Sequence, residues 1–160
     1  MATTFHAPPG TVVVPVHAAW GAAAGLVGGV GMGIWMSVSR PMMDTAMITM
    51  VAGLLGSTNA FAGWLIHLAI AAFAGIAFGV VLGRFAQRLA PSVVLGLLYG
   101  ALWWAVGALW IMPANMSMPV FTWNEVTASS LGAHLVFGLL AGATFASIAQ
   151  ATGRHSGPAR

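Results

Sequence analysis

Two histidines, His67 and His134, lie inside long apolar segments where a titratable ring is out of place. Ionisable groups at membrane depth are costly, face the bundle interior, and are functional candidates by default. Two imidazoles at one depth on two helices could ligate a haem b iron axially, or share a copper or zinc ion. The plainer reading is a pair of neutral rings, hydrogen-bonded to backbone or hydroxyl groups and duplicated with the helices that carry them. The plainer reading is preferred, because no carboxylate is available inside these segments to orient a ligating ring.

Methionine supplies the second chemical signal. Met42, Met43, Met47 and Met50 follow the first apolar segment, and Met112, Met116 and Met118 follow the third. Soft thioethers select Cu(I), which makes Met42, Met43, Met47, Met116 and Met118 candidate copper ligands. Flexible apolar packing against lipid or a partner is the plainer account and is preferred. Trp103 and Trp104, beside Tyr99, lie deep enough to pack on a cofactor, although core or lipid-facing packing is the better expectation. His6, His17 and His155 suggest no role.

Much chemistry is excluded. There is no cysteine, so disulfides and thiolate sites are ruled out. No lysine is present for Schiff-base chemistry or a phosphate-binding loop. The two acids, Asp44 and Glu125, fall in different loops and offer no paired-carboxylate hydrolase. No acid lies within a span to couple ion transport, and no arginine lies there to sense voltage. Ser129 and Ser130 approach His134 in sequence but find no acid partner. A non-catalytic protein is the expectation. The five arginines form no like-charge run, so nucleic acid is not an expected partner.

The elements that position these residues follow from the charges. Seven side chains in 160 residues carry formal charge, and 59% of the chain is hydrophobic. Four charge-free intervals, 1–39, 45–83, 89–124 and 126–153, each exceed the roughly 20 apolar residues needed to cross a bilayer core. Four transmembrane helices are predicted, at about 16–38, 62–83, 92–112 and 128–149, in a single all-α domain over 1–160 with a short tail at 151–160. The N-terminal ten residues do not read as a signal peptide. With the N-terminus inside, Arg84, Arg88, Arg154 and Arg160 are cytoplasmic and only Arg40 is outside, so the positive-inside rule places both termini in the cytoplasm. Trp20, Trp35, Trp64, Trp110 and Trp123 fall near span ends, as interfacial anchors do. The Ala- and Gly-rich composition suggests a prokaryotic protein of the inner membrane.

The chain also repeats. A step of 67 brings His67-Leu68, Ala74-Gly75 and Phe78 onto His134-Leu135, Ala141-Gly142 and Phe145; a step of 75 brings Gly21, Gly25 and Trp35 onto Gly96, Gly100 and Trp110. Two duplicated hairpins are expected, one over about 16–88 and one over about 89–150. Glycines recur every four residues at Gly21, Gly25, Gly29 and Gly33 and again at Gly75, Gly79 and Gly83, a spacing that lets helix backbones approach closely in lipid. Such faces suit a tight bundle and contact with other membrane subunits. Between the first two spans, Met43, Met47, Met50, Val51, Leu54 and Leu55 follow helical spacing and predict a short interfacial helix near 42–56 on the outer face.

Small size, minimal loops and absent catalytic groups lead to an expected function: an accessory or structural subunit of a larger membrane complex, respiratory or another oxidoreductase. A haem- or copper-binding redox protein using His67 and His134 is the alternative. An oligomeric channel or passive carrier is the second alternative.

Overall fold

The computed structural model describes residues 13–39 and 46–155. Its secondary structure is entirely helical among those residues. Four helices are long and apolar enough to cross a membrane: Val14–Val38, Ala60–Leu82, Leu89–Asn115 and Glu125–Gly153. The chain is an integral membrane protein by these criteria.

Helix α1 is Val13–Val38, α2 is Ile48–Gly53 and α3 is Ala60–Leu82. Helix α4 is Leu89–Trp103; it runs on as a π-helix over Trp104–Ile111 and ends in α5, Met112–Asn115. The last helix, α6, is Glu125–His155. Helix α3 starts at Asn59, whose side chain accepts from the Phe61 amide at 2.8 Å and so satisfies one orphan N–H of the first turn. Glu125 lies in the first turn of α6, where an anion complements the helix dipole.

Lipid supplies no hydrophobic force between helices, so close backbone packing must hold them together. The glycines do this. A Cβ on Gly75 would fall on the Gly21 carbonyl, and one on Gly25 would fall on the Ala71 carbonyl, so α1 and α3 touch backbone to backbone. Gly96 and Gly100 of α4 meet the carbonyls of Gly138 and His134 in the same way. Helix α1 also packs on α6, where Gly28 faces the Phe137 carbonyl. These glycine faces are consumed within the chain, so they do not by themselves argue for partner subunits.

Helix α1 therefore pairs with α3 and α6, and α4 pairs with α6, whereas the backbones of α3 and α4 stay apart and meet through side chains such as Tyr99 and Phe78. At the end where the chain passes between its helices at 83–88, the space between them is filled. Phe78 and Phe145, 1% and 0% exposed, stack edge-on at 5.6 Å, with Tyr99 and Trp20 against them. At the opposite end the space is not filled. The third span reflects this: only 11% of its most apolar window is buried, against 33–44% for the other three.

Within the segment 42–56 the described residues form one short helix, α2, six residues long, with Ile48, Val51 and Ala52 buried and Gly63 of α3 against the Ile48 carbonyl. Residues 42–45 lie outside the described residues.

Candidate functional site

The unfilled space is a cavity of about 570 Å³ at the α2 end of the bundle. His67 of α3 and His134 of α6 both line it. Small-molecule sites run to about 300–1,000 Å³ and are apolar with few polar groups, which describes this one. Rim residues Ile70 and Phe73 on α3 and Ile111 on the π-helix are 43%, 63% and 51% exposed. They belong to α3 and to the π-helix, whose backbones do not approach closely, so the cavity opens sideways, toward lipid.

Each histidine is oriented by a backbone carbonyl. His67 is 5% exposed, and its Nε2 lies 2.8 Å from the Gly29 carbonyl oxygen of α1. His134 Nδ1 lies 2.8 Å from the carbonyl oxygen of Ser130, one turn earlier in α6. A carbonyl can only accept, so the ring nitrogen facing it must donate. Neutral His67 is then protonated at Nε2 and keeps a lone pair on Nδ1; neutral His134 is protonated at Nδ1 and keeps one on Nε2. Neither lone pair accepts a hydrogen bond from a described residue. The Ser130 hydroxyl, 3.4 Å from His134, sits on the nitrogen already committed to the carbonyl.

The helices explain these contacts. Gly29 lets α1 approach α3 closely at this level, since a Cβ there would lie 2.5 Å from Ala71 Cβ, and at that separation the His67 ring reaches the α1 backbone. Trp64, three residues before His67, meets the imidazole edge-on at 6.2 Å and donates its indole N–H to Ser37 of α1 at 3.1 Å. Trp35 donates to Ser129 of α6 at 3.3 Å, and Trp104 donates to the Thr127 carbonyl at 2.9 Å. The indoles at this end thus tie spans together, as the expected interfacial anchors Trp35 and Trp64 do here.

Trp103 is the exception. Its Nε1 is buried and closes no hydrogen bond of ordinary geometry, the one such buried side-chain atom among the described residues, although the Tyr99 hydroxyl lies beside it. Its ring lies against Phe73 and Tyr99, at 6.5 and 6.1 Å, and lines the cavity. The Tyr99 hydroxyl donates to the Ala74 carbonyl at 2.7 Å and joins α4 to α3 where Ala74 lines the cavity.

Methionine completes the lining. Met47, Met116 and Met118, expected as candidate copper ligands, line the cavity, and Met50 and Met112 do too. Met42 and Met43 lie outside the described residues. Met32 and Met36 of α1, to which the sequence reading gave no role, also face it, 8% and 6% exposed. Their i, i+4 spacing in α1 puts them on one face, which is the signal that could have found them. All seven described methionines therefore line one cavity, together with both span histidines.

The wall on the α4 side is the π-helix Trp104–Ile111, of which Gly107, Ala108, Leu109 and Ile111 line the cavity. π-Helical turns are rare and frequent at functional sites. The following loop folds back on it: Phe121 N–H donates to the Leu109 carbonyl at 2.7 Å. Ser117 and Phe121 of that loop hold φ of 55° and 53°, a left-handed conformation that costs a non-glycine residue about 1–2 kcal/mol.

No group of three or more His, Asp or Glu side chains is placed to share a metal among the described residues. One requirement of a ligating histidine is nevertheless met. Backbone carbonyls fix both tautomers, the orienting role that the sequence reading sought from a carboxylate. No family model, curated protein or solved structure matches this chain.

Proposed function

We propose that this chain is a small, non-catalytic membrane protein that holds a neutral lipophilic molecule in the cavity between α3 and α4. The single observation that carries this reading is the cavity itself: about 570 Å³, lined by apolar side chains, open toward lipid, with two histidines inside. Its size is many times that of a metal ion. No acid lines it among the described residues, so a bound cation would have no counter-charge, and isolated buried charge is strongly disfavoured. A neutral occupant has neither difficulty. The role expected from the sequence, an accessory subunit of an oxidoreductase assembly, is compatible: such a subunit would hold a lipophilic carrier beside its host.

Copper(I) is the second reading, favoured by the seven methionines and two carbonyl-oriented histidines around one space. It would place the metal deeper than the surface methionine segments suggest. Stoichiometric copper in the purified protein, lost in His67→Ala and in His134→Ala, would establish it in place of the first reading.

Two finer features belong with the proposal. The N-terminus is taken as cytoplasmic from the arginine distribution, which puts the cavity in the outer half of the bilayer and α2 at the outer surface. The two helix pairs are read as a duplication. Its support is the repeated glycine contact: Gly21 meets the Gly75 carbonyl and Gly79 Cα as Gly96 meets the Gly138 carbonyl and Gly142 Cα, a step of 75 on the first helix and 63 on the second, and the four-residue glycine period admits 71 with 67 equally.

A photo-crosslinking side chain at Ala108, inside the cavity, tests the main reading. We expect an adduct of a few hundred daltons there, and phospholipid adducts from the lipid-facing position Ile34. Phospholipid alone at both positions would reject the reading, and a polypeptide adduct at Ala108 would favour a partner chain in the cleft.

A further inference from the structure

We infer that the occupant of this cavity is an aromatic molecule bearing two hydroxyl groups, a lipid-soluble diol of the quinol type. The inference rests on the binding reading above and adds the chemistry of the ligand. Its basis is the set of polar groups the cavity leaves unused. Each histidine spends its N–H on a carbonyl, His67 on Gly29 and His134 on Ser130, and so retains only an acceptor. One acceptor is on α3 and the other on α6, on different walls of the same space. A ligand that satisfies both must donate twice. Trp103 adds a buried N–H that closes no ordinary hydrogen bond, its one polar neighbour being the Tyr99 hydroxyl. A hydroxyl oxygen accepts as well as donates, so one ligand hydroxyl can serve a histidine and Trp103 together. A carbonyl ligand could use Trp103 but would leave both imidazole lone pairs unpaired.

The apolar lining favours an aromatic body. Trp103, Phe73 and Phe137 offer ring faces and edges, and the methionine thioethers make favourable contacts with aromatic rings while adapting to substituents. The lateral opening beside Phe73 and Ile111 lets an apolar tail remain in lipid while the ring is inside.

The test is binding of a decyl-substituted benzoquinol, the matching quinone and the quinol dimethyl ether. The protein is reconstituted in nanodiscs under anaerobic conditions and read by native mass spectrometry. A hydrogen bond in an apolar site is the difference between these ligands, so the quinol should bind at least tenfold more tightly than the quinone, and the diether most weakly. His134→Leu should lower quinol affinity about tenfold and leave quinone affinity unchanged. His67→Gln keeps an N–H to reach Gly29 and a carbonyl that can still accept from the ligand, so it should retain most quinol affinity, whereas His67→Leu should lower it and leave quinone affinity unchanged. Trp103→Phe should weaken both quinol and quinone. Equal affinity for all three ligands would overturn the hydroxyl assignment while leaving the lipophile reading intact. No binding of any of them, with an adduct still formed at Ala108, would overturn it as well.

Discussion

Replacing Gly75 by alanine should separate α1 from α3, and the structure sets the size of the effect. The added methyl would fall on the Gly21 carbonyl oxygen, 2.6 Å from Gly25 Cα and 2.8 Å from Gly25 N. Ordinary contacts of this kind lie near 3.5–4.0 Å, so the helices must part by roughly 1 Å. Overpacking a well-packed core costs about 1–3 kcal/mol when side chains can shift. Here the opposing atoms are backbone and cannot rotate away, which puts the cost near about 3 kcal/mol. Alanine regains about 0.8–1.0 kcal/mol in helix propensity. A net loss of about 2 kcal/mol remains, or roughly a thirtyfold fall in the folded-to-unfolded ratio. Reversible unfolding in mixed micelles, titrated with a denaturing detergent, would measure it. Gly153→Ala is the control, since a Cβ there meets nothing within 4 Å. If Gly75→Ala proves as stable as Gly153→Ala, the backbone contact between α1 and α3 is not what holds them.

The tryptophans predict opposite outcomes for one chemical change. Trp104→Phe loses a 2.9 Å bond to Thr127 and should destabilise the protein by about 1 kcal/mol, whereas Trp103→Phe removes an unpaired buried N–H and should leave the ligand-free protein equally stable or stabilise it by about 1 kcal/mol; detergent unfolding curves separate the two. Tyr99→Phe breaks the link to Ala74 and should cost about 1 kcal/mol, with faster hydrogen exchange at the cavity end of α4 than at its start. Ser117→Gly relieves a left-handed residue and should raise stability by about 1 kcal/mol, seen as a higher melting temperature. For orientation, cysteine at Ser117 should react with an impermeant reagent from outside the cell and cysteine at Ser156 should not; the reverse pattern would invert the topology.

The spans were legible because charge is so scarce: the intervals between Arg40, Arg84 and Glu125 leave little freedom in where four helices lie. The glycine spacing correctly announced close packing, but not between which helices, since a four-residue period serves an internal neighbour and a partner chain alike. The histidines stood out as polar groups in apolar runs. Their orienting partners did not, because Gly29 and Ser130 act through backbone carbonyls that every residue possesses. The cavity was hidden for a similar reason. It exists because the backbones of α3 and the π-helix stay apart, and an absent contact leaves no residue signature. The π-helix gave no warning either: Trp-Ala-Val-Gly-Ala-Leu-Trp-Ile reads as an ordinary apolar helix. Methionine stands out in the two loop segments, whereas Met32 and Met36 carry no such signal, because thioethers inside a span resemble any other apolar side chain.

The central claim is that the cavity between α3 and α4 holds a lipophilic molecule. Native mass spectrometry of the protein released from membranes without detergent exchange measures this directly, with two variants beside the wild type. Ala108→Trp places an indole inside the cavity, and Ile34→Trp places one on the lipid-facing side of α1, where Ile34 is 55% exposed. The account predicts a single adduct of a few hundred daltons on the wild type and on Ile34→Trp, and its loss in Ala108→Trp. An adduct that survives in Ala108→Trp, or a wild type that carries none in its native membrane, would contradict it.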